Sequence, residues 1–344
     1  MIKKIRGVRD ITGKEAKTFN YVEEIAKNTF GLYGFERIMA PVIERTELFK
    51  RGVGENTDVV EKEMYNFKDK GGRNITLRPE GTAGVARAYI EKGHHKADPV
   101  QKYYYFGPMF RYEKPQKGRY RQFYHLGVEA FGIDSPLIDV EILQMLVDFL
   151  KRIGLKNINL KLNNIGCKNC RPDYLNKLQE YLSSYKRDLC KDCKRRLESN
   201  PLRILDCKTC RVKGFMQNVP KIYENLCSDC NNFHDKLIDY LKQFNIPFEM
   251  DYSLVRGLDY YTKTVFEIYD EDIDSAQNQI VGGGRYDDLV EVLGGKPQPG
   301  LGFAFGFDRL VNLITKKDYI KIPQKYKRIF IAWYLNDQSK LMDF

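Results

Sequence analysis

All eight cysteines of this chain fall between Cys167 and Cys230, in four pairs of identical C-x-x-C spacing. The pairs are Cys167/Cys170, Cys190/Cys193, Cys207/Cys210 and Cys227/Cys230. Nothing else in the sequence limits the fold as much, because a segment this small cannot build a sizeable core unaided. The N-terminus, MIKKIRGVRDITG, is basic but has no apolar run after it, so it does not read as a secretory signal. The longest apolar runs are too short to span a membrane. A cytoplasmic protein is therefore expected, and there C-x-x-C pairs read as metal or redox sites before disulfides. Eight thiolates would suffice for two tetrahedral Cys₄ zinc sites. Reduced, unbound cysteines on surface loops are the alternative. An iron–sulfur cluster fits less well, since the spacings differ from ferredoxin runs.

The 344 residues allow one large domain or two to three smaller ones. With 42% hydrophobic and 30% charged residues, the chain is globular and not disordered. Its net charge of +11 admits a polyanionic partner such as nucleic acid or a nucleotide. From Lys161 to Cys230 there are 15 Lys/Arg against 8 Asp/Glu, so this stretch alone carries +7.

Periodicity and turn residues predict a helix from Glu15 to Tyr33 and a strand from Phe35 that stops at Pro41. Thr46 can start a short helix. Asn74–Arg78 reads as a strand, Thr82–Lys92 as a helix, and tyrosine-rich Gln101–Arg111 as a long strand. Tyr120–Phe131 is its return. Ser135 and Pro136 open a helix with apolar residues at Ile138, Ile142, Met145, Leu146 and Leu150. Ile158, Leu160 and Leu162 alternate as in a strand. After the cysteines, Asn231–Phe244 is helical. Strands are expected at 248–252, 254–257, 264–269 and 279–284, then a helix over 286–293, a strand over 301–305 and a helix over 306–314. Short connections within each block favour a mixed, mostly antiparallel sheet flanked by helices, an α+β fold interrupted by the cysteine segment.

Three groups carry chemistry. The first is MFRYEKPQKGRYRQFYHLGVEAFG, Met109–Gly132, which sets Arg111, Lys114, Lys117, Arg119 and Arg121 on a hairpin. Alternation turns Arg119 and Arg121 the same way, and arginine's planar fork suits phosphate. The second is Arg78-Pro-Glu80-Gly-Thr82, whose carboxylate and hydroxyl could hold an ammonium. The third is Leu301-Gly-Phe-Ala-Phe-Gly-Phe-Asp-Arg309, where glycines allow close backbone approach and the arginine can stack on a ring. Neither a P-loop nor a dinucleotide fingerprint is present.

Together these stretches resemble the class II aminoacyl-tRNA synthetases. Phe110–Glu113 with Arg121 looks like their motif 2, Gly302–Arg309 like motif 3, and the entry ending at Pro41 like motif 1. Leu254-Val-Arg-Gly-Leu-Asp-Tyr-Tyr-Thr-Lys-Thr-Val-Phe-Glu267 closely resembles the signature of histidyl-tRNA synthetases. The resemblance covers nearly residues 1–315.

The resemblance implies ATP, Mg²⁺, histidine and tRNA(His) as ligands, and a homodimer. Arg111 would hold the α-phosphate of ATP and Arg119 would lie near the outer phosphates. Phe123 and Arg309 would sandwich the adenine, and Arg256 would oppose Arg111 at the reacting phosphate. Glu80 and Thr82 would bind the α-ammonium of histidine, while Glu129, Tyr261 and Tyr286 would read its imidazole. Gln116 would meet the tRNA end. His125 stands where the family usually has a glutamine that resembles a ligand of the ammonium. A neutral imidazole could still accept that hydrogen bond, whereas a protonated one would repel it.

Residues 1–163 and 236–318 would form two halves of a catalytic core, with 164–235 a basic, cysteine-rich insertion suited to tRNA phosphates. Residues 319–344 would be a linker and the start of a truncated anticodon-binding domain, with Arg328–Tyr334 as its first strand. A competing reading is the catalytically inactive regulatory paralogue of ATP phosphoribosyltransferase, which shares this fold. A zinc-ribbon nucleic-acid binder would explain the cysteines but none of the other motifs.

Overall fold

The computed structural model describes residues 2–55, 57–114, 119–272, 278–317, 320 and 322. Eleven strands are present among them. In chain order they are β1 (Glu36–Arg37), β2 (Ile43–Arg45), β3 (Tyr65–Lys68), β4 (Asn74–Leu77), β5 (Gln101–Phe110) and β6 (Gln122–Phe131). β7 (Ile158–Asn164), β8 (Glu249–Met250), β9 (Thr262–Asp270), β10 (Gln279–Arg285) and β11 (Gly300–Gly306) follow.

Eight strands form one sheet in the order β1-β5-β6-β11-β10-β9-β7-β8. Only the outermost pairs, β1 with β5 and β7 with β8, run parallel. The basic hairpin forms as its tyrosine and phenylalanine content predicts, paired from Gln101 with Phe131 to Phe110 with Gln122. A second sheet, β2-β4-β3, lies beside it. This is the α+β, mostly antiparallel sheet flanked by helices that the sequence implies.

The period of two in β11 sorts its side chains. Leu301, Phe303 and Phe305 join the core under the helices Gly13–Leu32 and Pro136–Arg152, where Phe303 packs edge-on against Phe30 and Phe305 against Phe149. Gly302, Ala304 and Gly306 line a cleft on this part of the sheet. The helix at Pro136 starts as expected, with Ser135 Oγ accepting the Leu137 amide at 3.2 Å.

Between β7 and β8 run helices Arg171–Ser183, Lys191–Ser199, Leu202–Leu205 and Ser228–Gln243. Their buried Tyr174, Leu178, Leu197 and Ile204, with Ile222 from the connection between them, are not a separate core. They share one apolar cluster with Tyr261, Val265 and Tyr286 of the sheet region.

Three local expectations differ, and two strands, β2 and β3, were not expected. Leu254–Gly257 is a loop, held by Asn163 Nδ2 donating to the Leu254 carbonyl at 2.9 Å. The helix expected over 286–293 shrinks to Leu289–Val292, because the Tyr286 amide continues the sheet by bonding to the Gly300 carbonyl. The strand before Pro41 is only β1, although the Ile38 amide still reaches the Tyr104 carbonyl. Strands β2 and β3 have mostly exposed side chains and so lack a clear alternation. The expected strand at 328–334 lies outside the described residues. No helix among those described is long and apolar enough to cross a membrane.

Candidate active site

A cleft of about 270 Å³ opens on the glycine-rich face of β11 and β6. Its lining brings together Glu80, Thr82, Arg111, Arg119, Phe123, His125, Arg256, Tyr261 and Arg309, residues spread over 230 positions of sequence. Glu129 and Tyr286 lie just behind, hydrogen-bonded to this set. Gln116 lies outside the described residues.

One end of the cleft is acidic. Glu80 precedes the helix Thr82–Glu91 and accepts its first free amides, from Thr82 at 2.7 Å and Ala83 at 2.9 Å. Thr82 turns its hydroxyl to Glu129 Oε1 at 2.7 Å, and the Tyr286 hydroxyl donates to Glu129 Oε2. Burial drives both carboxyl groups upward. Glu129 is pushed up to about 8, with burial first and nearby Glu80 adding to it, against the hydrogen bonds from Tyr286 and Thr82. Glu80 is also raised by burial, opposed by the two helix amides.

The other end is cationic. Arg111 donates through Nε to the Pro79 carbonyl at 2.9 Å and lies 5.4 Å from the centre of the Phe123 ring. Arg119 is half-exposed and bonds Glu113 at 3.1 Å. Arg309, in the first turn of the helix Phe307–Lys317, donates to the Gln279 carbonyl at 2.8 Å. Arg121 departs from the alternation argument. Its guanidinium stacks 4.0 Å over Tyr112 and does not line the cleft.

Arg256 enters from the 254–257 loop, partly buried and paired with Glu267 of β9. Gly282 makes that pose possible, since a Cβ there would collide with the Arg256 guanidinium. His125 sits in β6 with its ring edge-on to Phe123 at 5.1 Å. Burial, then the charges of Arg111 and Arg78, hold its pKa down to about 3, so the imidazole is neutral.

Three lining residues carry a buried polar atom without a hydrogen-bond partner among the described residues: the Tyr105 hydroxyl, His125 Nδ1 and Arg256 Nε. Buried polar groups are normally satisfied, so a cleft with three that are not is suited to a polar ligand. Its mix of carboxyl groups and arginines suits a molecule that carries both cationic and anionic groups.

Sequence reading missed several members. Tyr105 lines the cleft from the middle of β5, where it reads as one of several strand tyrosines. Glu267 closes the quoted signature, yet nothing in its spacing marks it as the partner of Arg256. Arg9 pairs with Asp308 and lies 4.5 Å from the Tyr120 ring, so the N-terminal segment buttresses the cleft wall. Asp308 also accepts the Tyr124 amide at 2.6 Å.

The two sets of cysteines also gather. Cys167, Cys170, Cys227 and Cys230 form one group and Cys190, Cys193, Cys207 and Cys210 another, each with its four sulfur atoms within 4.8 Å of one another. Either group could hold a metal ion.

Comparison with known proteins agrees with this arrangement. The family profile described as histidyl-tRNA synthetase matches residues 7–191 and 205–310. A curated histidine–tRNA ligase of Halothermothrix orenii is 49% identical over 322 residues, which is 94% of this chain and 76% of that protein. The solved apo histidyl-tRNA synthetase of S. aureus superimposes with a TM-score of 0.75 at 37% identity, over 92% of this chain and 75% of that one. An ATP phosphoribosyltransferase regulatory subunit/histidyl-tRNA synthetase from Bacillus halodurans has a TM-score of 0.67, over 91% of this chain and 83% of that one. At 23% identity it shares the fold alone. With the profile spanning both halves of the sheet and close to half of all residues shared with a curated ligase, this chain belongs to the histidyl-tRNA synthetase family.

Proposed function

We propose that this chain joins histidine to ATP, giving histidyl-adenylate and pyrophosphate, and then passes histidine to the 3′ end of tRNA(His). The observation that carries this reading is the cleft itself, with Arg111, Arg256 and Arg309 facing the Glu80–Thr82–Glu129 network. The relatives' name as histidine–tRNA ligases favours the enzyme over the regulatory reading.

The substrate carboxylate attacks the α-phosphorus, a new acyl–phosphate bond forms, and the bond to pyrophosphate breaks. Negative charge builds on the α-phosphate oxygens, and Arg111 and Arg256 stabilise it from two sides. Phe123 and Arg309 hold the adenine, and Arg119 lies toward the outer phosphates. Glu80 and Thr82 take the α-ammonium, with neutral His125 as a further acceptor. Glu129, Tyr261 and Tyr286 read the imidazole. Mg²⁺ fits this setting, since it is held mainly by phosphate oxygens with one or two carboxylates. Glu113 in the cleft wall offers one, and the ion supplies charge neutralisation there.

Residues 164–235 act as a basic insertion that meets tRNA phosphates and holds structural zinc. The chain works in the cytoplasm, where its cysteines stay reduced. A homodimer would form along edge strand β1, beside which Met39 and Ile43 are 82% and 51% exposed. Light scattering at micromolar concentration tests the dimer, and a monomer there would overturn it.

Histidine-dependent exchange of pyrophosphate into ATP tests the activity. Exchange that needs histidine and is lost in Arg256→Ala supports it, and intact histidine binding without exchange returns the regulatory reading.

A further inference from the structure

We infer that the cysteine segment is a brace of two nested zinc sites that positions the Arg256–Tyr261 loop for histidine binding. The sequence allows several ways to combine four C-x-x-C pairs. The fold selects one. The outer site joins the first pair to the last, Cys167 and Cys170 with Cys227 and Cys230. The inner site joins Cys190 and Cys193 with Cys207 and Cys210.

The distances are those of metal ligands. A tetrahedral ion with bonds of about 2.3 Å to sulfur requires sulfurs about 3.8 Å apart. Cys167–Cys170, Cys167–Cys227, Cys170–Cys230 and Cys190–Cys207 all stand at 3.8 Å. That is far beyond a disulfide bond. Backbone amides also point at the sulfurs, from Cys167 to Cys170 at 3.3 Å and from Cys190 to Cys210 at 3.4 Å. Four thiolates in a tetrahedron select zinc or a single iron, and the sites assign zinc as the ion without redox demands.

Each site anchors side chains that grip the histidine loop. Arg171 follows Cys170 directly and donates to the Tyr261 carbonyl at 2.6 Å, and to Ile165 and Gly166 carbonyls at 3.0 Å. Asn200 and Arg203 lie between the two halves of the inner site. Asn200 donates to Asp259 at 2.8 Å, and Arg203 to the Arg256 carbonyl at 3.3 Å. Arg196, in the helix Lys191–Ser199 that holds Cys193, is tied to Asp58 at 2.9 Å, so the inner site is also joined to the segment around residue 58. Among the described residues the loop has no strand pairing of its own. These three positioning residues therefore add to Asn163, Glu267 and the Asp259-to-Val53 backbone bond in placing Arg256 and Tyr261. The coupling rests on the synthetase reading, and the metal sites do not.

The test has two readouts. Metal analysis of the reduced chain, purified without added metal, is expected to give about two zinc ions per chain. Serine at all four inner cysteines is expected to leave about one, because the outer four already share a site; none retained would overturn the nested pairing. In the unsubstituted chain loaded with an NMR-active cadmium isotope, couplings to cysteine β-protons report the same pairing without substitution. Iron found in place of zinc overturns the assignment of the ion. For the coupling, Asn200→Ala and Arg203→Ala keep every cysteine and are expected to raise the KM for histidine in pyrophosphate exchange about tenfold. The KM for ATP should stay near the parent value, and Arg203→Lys should recover part of the loss. An unchanged histidine KM in both alanine variants overturns the brace. A parent that exchanges pyrophosphate with no metal overturns the sites and leaves the synthetase standing, while two zinc ions without exchange does the reverse.

Discussion

Thr82 donates its hydroxyl to Glu129 at 2.7 Å, which ties the start of one helix to the last third of strand β6, 47 residues away. That bond, with the Tyr286 hydroxyl on the other oxygen, holds a carboxyl group 1% exposed at the back of the cleft. Glu129→Gln is expected to raise the KM for histidine by about tenfold, as an amide accepts at only one of the two positions that Thr82 and Tyr286 reach. Its stability should change with pH in a defined sense. Folded Glu129 keeps its proton up to about 8, while the unfolded chain releases it near 4.5. The parent therefore loses stability from this group as pH rises through that window, and the glutamine variant does not. Urea titrations of both chains at pH 5 and pH 8 check the difference.

His125 runs the opposite way. Its folded pKa near 3 lies below the ordinary 6.5, so below pH 6.5 the unfolded chain takes up a proton that the folded chain refuses. The parent loses about 1.4 kcal/mol per pH unit from this group as pH falls from 6.5 toward 3. His125→Gln should gain on the parent by that slope in the same urea experiment. Because the imidazole stays neutral, histidine binding at pH 6 to 8 should show no inflection that this substitution removes.

Arg256 and Gly282 form a third test. Arg256→Ala should lower the rate of pyrophosphate exchange by about 10²- to 10³-fold, as loss of one preorganised charge donor at a transition state does. Gly282→Ala leaves the arginine in place but sets a methyl group against its guanidinium. Exchange should fall in that variant also, with a melting temperature closer to the parent's than that of Arg256→Ala, which strands Glu267 without its ion pair. An active Gly282→Ala would show that the pose of Arg256 is not required.

The fourth concerns the frame. Arg285 is fully buried and bonds Asp139 at 2.7 and 2.9 Å, linking β10 to the helix Pro136–Arg152. Asp139→Ala should cost about 3 kcal/mol, the low end for breaking a buried pair, because Arg285 keeps Asp287 at 3.2 Å. The double change Asp139→Leu with Arg285→Met should be less destabilising than the single one, as read from urea midpoints.

Residue type and spacing alone specify the long hairpin, from its tyrosines and phenylalanines, and the two glycine-rich strands that open the cleft. The sequence also carried the family through the motif around Arg111, the Leu254–Glu267 stretch and the segment ending at Arg309. These are local features, set by residue type and spacing. Tertiary structure decided the rest. Strand-like Leu254–Gly257 became a loop because Asn163, Arg203 and Arg171 hold its carbonyls or those just after it. The pKa values of Glu129 and His125 depend on burial and on charges brought from other strands, which no local pattern encodes. The cysteine pairs announce metal chemistry in the sequence, but which pairs meet depends on the chain's path over the 60 residues between the outer two.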